Sequence, residues 1–487
     1  MLNIGTRREC FFDSYLIDGN KTTASFRLHQ PVPHEIVLRH GAPWEGDGCD
    51  YHNFFFDNEW HGVNGEYSDG CYRMYYLAWK TVKPEIRVAY AESTDGLNWS
   101  KPSLGIRSYD GSTDNNIILD LNDFNNFDNF YVFRDDNPSC SPEKRYKGIA
   151  ACLPGLWSWV SPDGLNFKKD TCITENGDFD SLNVAFWDND AQIYRCYFRS
   201  HYNISPDEPH AVPLPNDNSH VRFISVTESA DFVNWSEPEY VKFDDGEHIP
   251  LYTNVIQKYF RAPHTFIGFP TRYIERQEWN GSFEELGGKE SRLERMKMSV
   301  RYGLALTDCA FIVSRDGHNF HRYTEAFMPP LPEDGTNWIY GDCYPMYGFT
   351  VTKSALPGAP DEISMYVGEK QWTHTDKLIR RYTMRMDGFA SLHAGGREER
   401  IVTKPFVYDG DTLRVNFATS ARGWMYFSLT DPNGVRYESE ETFGNTIDRR
   451  VHFKDENAVE KLAGREVIME IRMTDSDLYS LRFSKER

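Results

Sequence analysis

The chain is built from short apolar runs separated by polar turns, and almost none of it keeps a helical period. Runs such as 72–79 and 86–91 have the length and the tyrosine and valine content of β-strands. Four turns that follow such runs share one pattern: Ser93-Thr94-Asp95-Gly96-Leu97-Asn98-Trp99, Ser161-Pro162-Asp163-Gly164-Leu165-Asn166-Phe167, Ser229-Ala230-Asp231-Phe232-Val233-Asn234-Trp235 and Ser314-Arg315-Asp316-Gly317-His318-Asn319-Phe320. Asp387-Gly388-Phe389 is a shorter fifth, and successive aspartates lie 68, 68, 85 and 71 residues apart. Asp, Asn and Gly beside a β run tolerate positive φ and make tight turns, while the final ring can pack back onto the strands. One such turn implies a hairpin. Five at near-regular intervals imply a repeated unit.

Each repeat reads as three strands, the turn, and a fourth strand. The strands are predicted at 51–56, 72–79 and 86–91, then at 130–133, 146–151 and 157–160, and then at 184–187, 193–198 and 222–226. The fourth unit has 255–260, 265–269 and a strand ending at 313, and the fifth has 346–351, 363–367 and 379–386. Five four-stranded units of this size predict a five-bladed β-propeller. Two or more β-sandwiches are the competing architecture, but they do not require turns at this interval. The interval leading to the fourth turn is 17 residues longer than the first and holds the charged stretch 275–298. That stretch reads as a solvated surface excursion, with a lid as the alternative. After 391 the runs at 413–417, 423–429, 450–453, 466–473 and 478–483 describe a small antiparallel sandwich. The expected fold is therefore all-β, with a propeller over 1–395 and a C-terminal β-sandwich over 396–487.

Composition narrows the function. The 487 residues carry 53 Lys plus Arg against 73 Asp plus Glu, a formal charge of −20. That surplus argues against nucleic acid as a partner. At 15% aromatic the chain is not disordered, and no apolar run approaches the roughly 20 residues of a membrane span. Nine cysteines form no CxxC pair or zinc-type cluster, and the first residues lack an apolar leader, so a cytoplasmic location is expected. Phosphate-binding glycine loops, HExxH and GxSxG do not occur. No cofactor is expected. Aspartates and carbonyls around a channel suit calcium, but no ligand loop is recognisable.

In a propeller the innermost strands start, and the second strands end, at one face of the central channel. The inner starts read Asp50-Tyr51-His52-Asn53, Asp128-Asn129, Asp180-Ser181-Leu182-Asn183, Tyr252-Thr253-Asn254 and Asp342-Cys343. The second strands end at Trp79-Lys80, Arg199-Ser200-His201, Thr271-Arg272 and Glu369-Lys370. Carboxylates, arginines, a histidine and rings in one funnel fit a sugar site, where carboxyls act as acid, base or nucleophile. Crowded like charges should raise at least one pKa. By contrast, Asp57-Asn58, Asp136-Asn137 and Asp188-Asn189 fall in hairpins at the opposite face and read as structural turns.

The five units, the carboxylates at inner-strand starts and the appended sandwich resemble the five-bladed propeller glycoside hydrolases of families 32 and 43. The segments Phe179-Asp180-Ser181-Leu182-Asn183-Val184-Ala185-Phe186-Trp187-Asp188, Phe269-Pro270-Thr271-Arg272 and Asp477-Leu478-Tyr479-Ser480-Leu481-Arg482-Phe483 look like bacterial propeller–sandwich proteins called glycosidase-like. The resemblance implies that Asp50 is base or nucleophile, that Asp128 orients substrate or tunes pKa, and that Glu369 or Asp180 is the acid. This chain lacks the Asn-Asp-Pro-Asn context of the first blade and the Glu-Cys-Pro motif of the third. Arg199, His201, Arg272 and Trp338 are expected to grip the sugar. Trp44, Tyr51, His52 and Asn183, with Tyr252, Asn254 and Asp342, complete the expected contacts. The expected substrate is an oligosaccharide, a furanoside being one form. A non-catalytic carbohydrate-binding propeller and a phosphorolytic enzyme are the alternatives; the latter would need Arg199 and Arg272 to converge on phosphate.

Overall fold

The computed structural model describes residues 2–81, 83–120, 128–205, 212 and 220–486. Five antiparallel sheets form the blades of a propeller. Blade 1 pairs Asp50–Asp57, Cys71–Lys80, Lys83–Ser93 and Ile117–Asp120 in that order. Blade 2 pairs Asp128–Arg134, Tyr146–Cys152, Gly155–Ser161 and Lys168–Thr174, and blade 3 pairs Val184–Asp188, Ile193–Asn203, His220–Ser229 and Glu239–Tyr240. Blade 4 pairs Gln257–Tyr259, Ala262–Gly268, Ile312–Ser314 and Asn319–Arg322, with Lys242–Phe243 added parallel to its outer edge. The second strands are almost wholly buried because neighbouring blades cover both faces, which is why they read as near-continuous apolar runs.

Blade 5 closes the ring with a strand from the other end of the chain. Thr350–Thr352, Glu362–Glu369 and Lys377–Arg385 are joined by Val32–His40 as the outermost strand. The repeat pattern gave no sign of this strand, because no turn of the Ser-x-Asp type accompanies it.

The repeated turns have the chemistry their residues imply. In the first, Asp95 Oδ1 accepts the backbone N–H groups of Leu97 and Asn98, Asn98 Nδ2 donates to Asp95 Oδ2, and Ser93 Oγ accepts from Gly96 N. The turns at Asp163, Asp231 and Asp316 repeat the arrangement. Tyrosines of the preceding blade latch three of them: Tyr366 donates to Gly96 O, Tyr75 to Gly164 O and Tyr197 to Gly317 O. Where the third turn replaces glycine, Phe232 keeps a left-handed backbone at φ 65° and packs against Phe133 and Tyr194.

The C-terminal β-sandwich is organised on two long antiparallel strands, Thr412–Thr430 and Ile468–Ser484. A boundary at 395 assigns the first residues to the propeller, but their strands pair elsewhere. Leu2–Gly5 pairs with Phe406–Tyr408, Glu9–Cys10 with Ile468–Ser484 and Ser25–Leu28 with Ala390–Ala394. Ile4, Phe11, Leu16 and Ile17 are buried in the sandwich core beside Phe406 and Leu413.

The charged excursion is exposed along most of its length, as expected of a solvated surface segment, but it is tied down at two arginines. The strands Thr271–Glu275 and Ala305–Cys309 form a hairpin that carries α1 (Gly281–Glu285), α2 (Lys289–Met298) and α3 (Arg301–Leu304) at its end. Arg292 and Arg295 of α2 are buried. Arg295 donates to the carbonyls of Gln371 and Trp372, and Arg292 Nη2 donates to that of Asn337 at 3.2 Å. These bonds tie α2 to the 337 and 371–372 backbone of blade 5. Among the described residues no helix is long and apolar enough to cross a membrane.

Candidate active site

Inner-strand starts share a local conformation. In blades 1 and 2 the residue after the leading aspartate has positive φ, 53° at Tyr51 and 50° at Asn129, and its N–H donates to that aspartate's Oδ1 at 3.0 and 2.9 Å. Cys343 after Asp342 and Val255 after Asn254 are also left-handed, at 57° and 45°. Such backbone is costly for residues with a Cβ, and for a β-branched valine above all, and it concentrates where function constrains the chain.

Buried asparagines lock these starts together. Asn53 exchanges hydrogen bonds with the backbone of Val132, and Asn129 Nδ2 donates to Phe179 O at 2.6 Å. Asn183 donates to Asn129 Oδ1 and Phe179 O and accepts from Arg199 N. Asn254 donates to Leu182 O and Tyr197 O. Asn183 and Asn254, expected as substrate contacts, are thus saturated inter-blade ties.

The leading carboxylates divide into three states. Asp50 is nearly sealed from solvent, and its Oδ2 lies 3.1 Å from Nζ of Lys377, which is fully buried. That pairing matches the charge of the expected base or nucleophile and removes it from an open site. Asp342 accepts Ile339 N at 2.9 Å and caps its own loop; burial pushes its carboxyl up to about 7. Asp128 and Asp180 meet as a pair. Burial, then the charge of Asp180 and a hydrogen bond between the two carboxyls, raise Asp128 well above the usual carboxylate range. Asp180 is the exposed member, with 56% of its side chain open to solvent.

Arg199 anchors this pair. Its Nη2 lies 2.6 Å from Asp178 Oδ1 and 3.4 Å from Asp180 Oδ2, and its Nε donates to Asp178 O at 2.9 Å. His201 Nδ1 is 3.1 Å from Asp178 Oδ2. Burial opposes ionisation of Asp178, but Arg199 and His201 outweigh it and hold the carboxyl below its ordinary pKa. Behind the pair stands a tyrosine cluster. Tyr252 OH donates to Asp180 Oδ1 at 3.5 Å and meets the hydroxyls of Tyr51 at 2.7 Å and Tyr340 at 3.1 Å.

Asp178, Asp180, Arg199 and His201 line one wall of a cavity of about 890 Å³. Arg222 and Glu275 line the opposite part, and Arg301 closes it from α3. A smaller cavity of about 340 Å³ reaches Asp128 from the blade 2 side. Asp178, Arg222, Glu275 and Arg301 were not anticipated. Arg222 and Glu275 sit inside ordinary strand patterns, and Asp178 differs from a turn residue only by proximity to Asp180.

The remaining expected contacts fall away from this cavity. His52 is buried, its Nε2 2.8 Å from His40 Nε2, in a network that continues through His40 Nδ1 to Glu45. Trp44 Nε1 donates to Asn116 Oδ1 at 2.9 Å on the side of blade 1. Arg272 points to the opposite face of its hairpin from Tyr273, where Nε and Nη2 each lie 2.6 Å from the Asp308 carboxylate. Trp338 donates to Leu331 O and lines a separate cavity beside α1. Glu369, the other expected acid, is held by Arg380 Nε at 2.5 Å and Nη2 at 3.2 Å. Asp57 and Asp188 are structural, as their hairpin position implies: Asp57 takes Arg73 Nη1 at 3.2 Å, and Asp188 takes Arg195 Nε at 3.0 Å and Lys258 Nζ at 2.7 Å. In blade 2 the anchor is Asp135 with Lys147, one residue before the expected Asp136. Among the described residues, no group of three or more His, Cys, Asp or Glu side chains is placed to hold a metal ion.

No protein-family model and no curated protein matches the chain. Solved structures similar to it include an N-acetylgalactosamine deacetylase from F. plautii in complex with blood group B trisaccharide, at 11% identity and TM-score 0.44, covering 73% of this chain and 94% of that one. A Penicillium chrysogenum α-L-arabinanase complexed with arabinobiose matches at 10% identity and TM-score 0.38, over 73% of this chain and 98% of its own. The Bombyx mori GH32 β-fructofuranosidase matches at 9% identity and TM-score 0.37, over 94% and 95%. Likeness at this level carries no argument about activity.

Proposed function

We propose that the protein is a glycoside hydrolase whose proton-handling group is the Asp128–Asp180 pair, acting on an oligosaccharide in the cavity beside blades 3 and 4. The observation that carries this reading is one half-buried carboxyl, its pKa raised by desolvation and by the neighbouring charge, hydrogen-bonded to one exposed carboxyl at the cavity wall. Two carboxyls this close cannot both ionise and hold a proton between them. Asp128 holds that proton and Asp180 relays it to the leaving glycosidic oxygen, so that Asp128 ionises as the bond breaks. Asp178, kept ionised by Arg199 and His201, activates the attacking water. Tyr252 orients Asp180 through its hydroxyl, and the polar wall supplies partners for sugar hydroxyls.

The test is a panel of aryl-glycosides and oligosaccharides with Asp180→Asn, Asp128→Asn and Asp178→Asn. Loss of general acid or base catalysis should lower turnover about 10²- to 10⁴-fold in each. Wild-type turnover in all three variants, on a substrate the parent cleaves, overturns the assignment. Sugar binding with no turnover by the parent would favour a non-catalytic carbohydrate-binding propeller.

A further inference from the structure

Three arginines and three carboxylates line the cavity, but they are unevenly paired: two carboxylates face Arg199, which leaves Glu275 alone beside Arg222 and Arg301. Arg199 is committed to Asp178 and Asp180. Arg222 is reached by Glu275 only at 3.6 Å from Nη1, and its buried Nε has no hydrogen-bond partner among the described residues. Its guanidinium carbon lies over the Tyr273 ring, 4.3 Å from the centroid, a contact that positions the group without consuming its donors. Arg301 enters from α3, with Nη2 3.4 Å from the Tyr302 hydroxyl. Both line the same cavity as Asp180. One arginine comes from a blade 3 strand and one from α3, and among the described residues neither has a carboxylate within hydrogen-bond distance.

Guanidinium forks of this kind match an oxyanion through paired, charge-assisted hydrogen bonds. Sugar hydroxyls can also accept from these donors, but only an oxyanion matches the positive charge that Glu275, the one carboxylate beside both arginines, leaves over. We infer that Arg222 and Arg301 form an oxyanion subsite, so that the ligand of this cavity carries or accompanies a negative charge. The inference rests on the proposed carbohydrate site and deepens it. The oxyanion is either the carboxylate of an acidic sugar in the substrate or inorganic phosphate acting as co-reactant. In the second case phosphate oxygen, in place of water, forms the new bond to the anomeric carbon as the glycosidic C–O bond breaks. The leaving oxygen takes the proton from Asp180, and the product is a sugar phosphate.

Calorimetry on the intact protein compares glucuronate and galacturonate with glucose and galactose, and inorganic phosphate alone. Turnover of the oligosaccharide panel is measured with and without phosphate. An acid sugar bound about tenfold or more tightly than its neutral counterpart, with the ratio falling towards one in Arg301→Gln and in high salt, supports a substrate carboxylate. Phosphate binding weakened by Arg301→Gln, together with phosphate-dependent turnover, supports the co-reactant. Arg222→Lys keeps the charge but loses the fork, so it should weaken either oxyanion while leaving the thermal midpoint close to wild type. Neutral sugars that bind or turn over with no preference for acid sugars and no response to phosphate overturn the subsite alone. If no sugar binds or turns over, the carbohydrate site falls with it.

Discussion

The two ends of the inner strands carry the same residue in opposite states. At the hairpin end, Asp57 and Asp188 each face a buried cation on the adjacent strand, Arg73 and Arg195. At the channel end, Asp128 faces another carboxyl and Asp342 is buried against backbone donors. Burial alone therefore does not distinguish a structural from a functional aspartate. What differs is the matching of charge: a paired carboxylate stabilises the fold in its ionised form, whereas a carboxyl buried against like charge keeps its proton.

The sharpest way to break this comparison is to neutralise one member of each set. Asp180→Asn should lower turnover about 10²- to 10⁴-fold with little change in urea midpoint. Asp57→Asn should do the reverse, destabilising by about 3–5 kcal/mol because Arg73 is left as a buried, unmatched charge, while turnover per folded molecule stays near wild type. If both variants lose activity without losing stability, the division between the two ends is wrong.

A pH series tests the same division through its sign. Asp188 is held below its ordinary pKa: burial works against it, but hydrogen bonds and charge from Lys258 and Arg195 prevail. Its stabilising contribution is present above the unfolded value and is lost as pH falls below about 4. Asp342, raised to about 7 by burial, contributes stability at low pH that declines as pH climbs from about 4 to 7. Asp342→Asn should flatten the upper limb of the stability profile, and Asp188→Asn the lower. The smallest expected effect lies at α2. Arg295→Met should raise amide exchange in α2 about tenfold by removing its bonds to the Gln371 and Trp372 carbonyls.

The blades were legible because Ser-x-Asp-Gly-x-Asn is a local device whose hydrogen bonds all close within seven residues. The ring-closing strand Val32–His40 and the sandwich role of residues 2–28 were not, because they depend on pairings across more than 330 residues. The candidate site divides the same way. Asp128, Asp180 and Tyr252 were expected together because inner-strand starts lie at one face, and Arg199 because a second strand ends there. Asp50 and Glu369 looked equivalent to them until their partners, Lys377 and Arg380, were seen. Polar residues near a channel do not reveal from sequence whether their hydrogen bonds are already spent, and Asn183, Asn254, His52, Trp44, Arg272 and Trp338 show the result.

The closing strand has a consequence for how the molecule is made. Val32–His40 leaves the ribosome early, yet its partner Lys377–Arg385 appears only after four blades have been synthesised. Until then His40 and the strands of blade 1 wait beside an unfinished edge, and Asp50 lacks the ammonium of Lys377. The final ion pair at the channel therefore forms in the same event that seals the ring. Nascent chains truncated before residue 377 should remain open and protease-sensitive across blade 1, although every residue of that blade has already been translated.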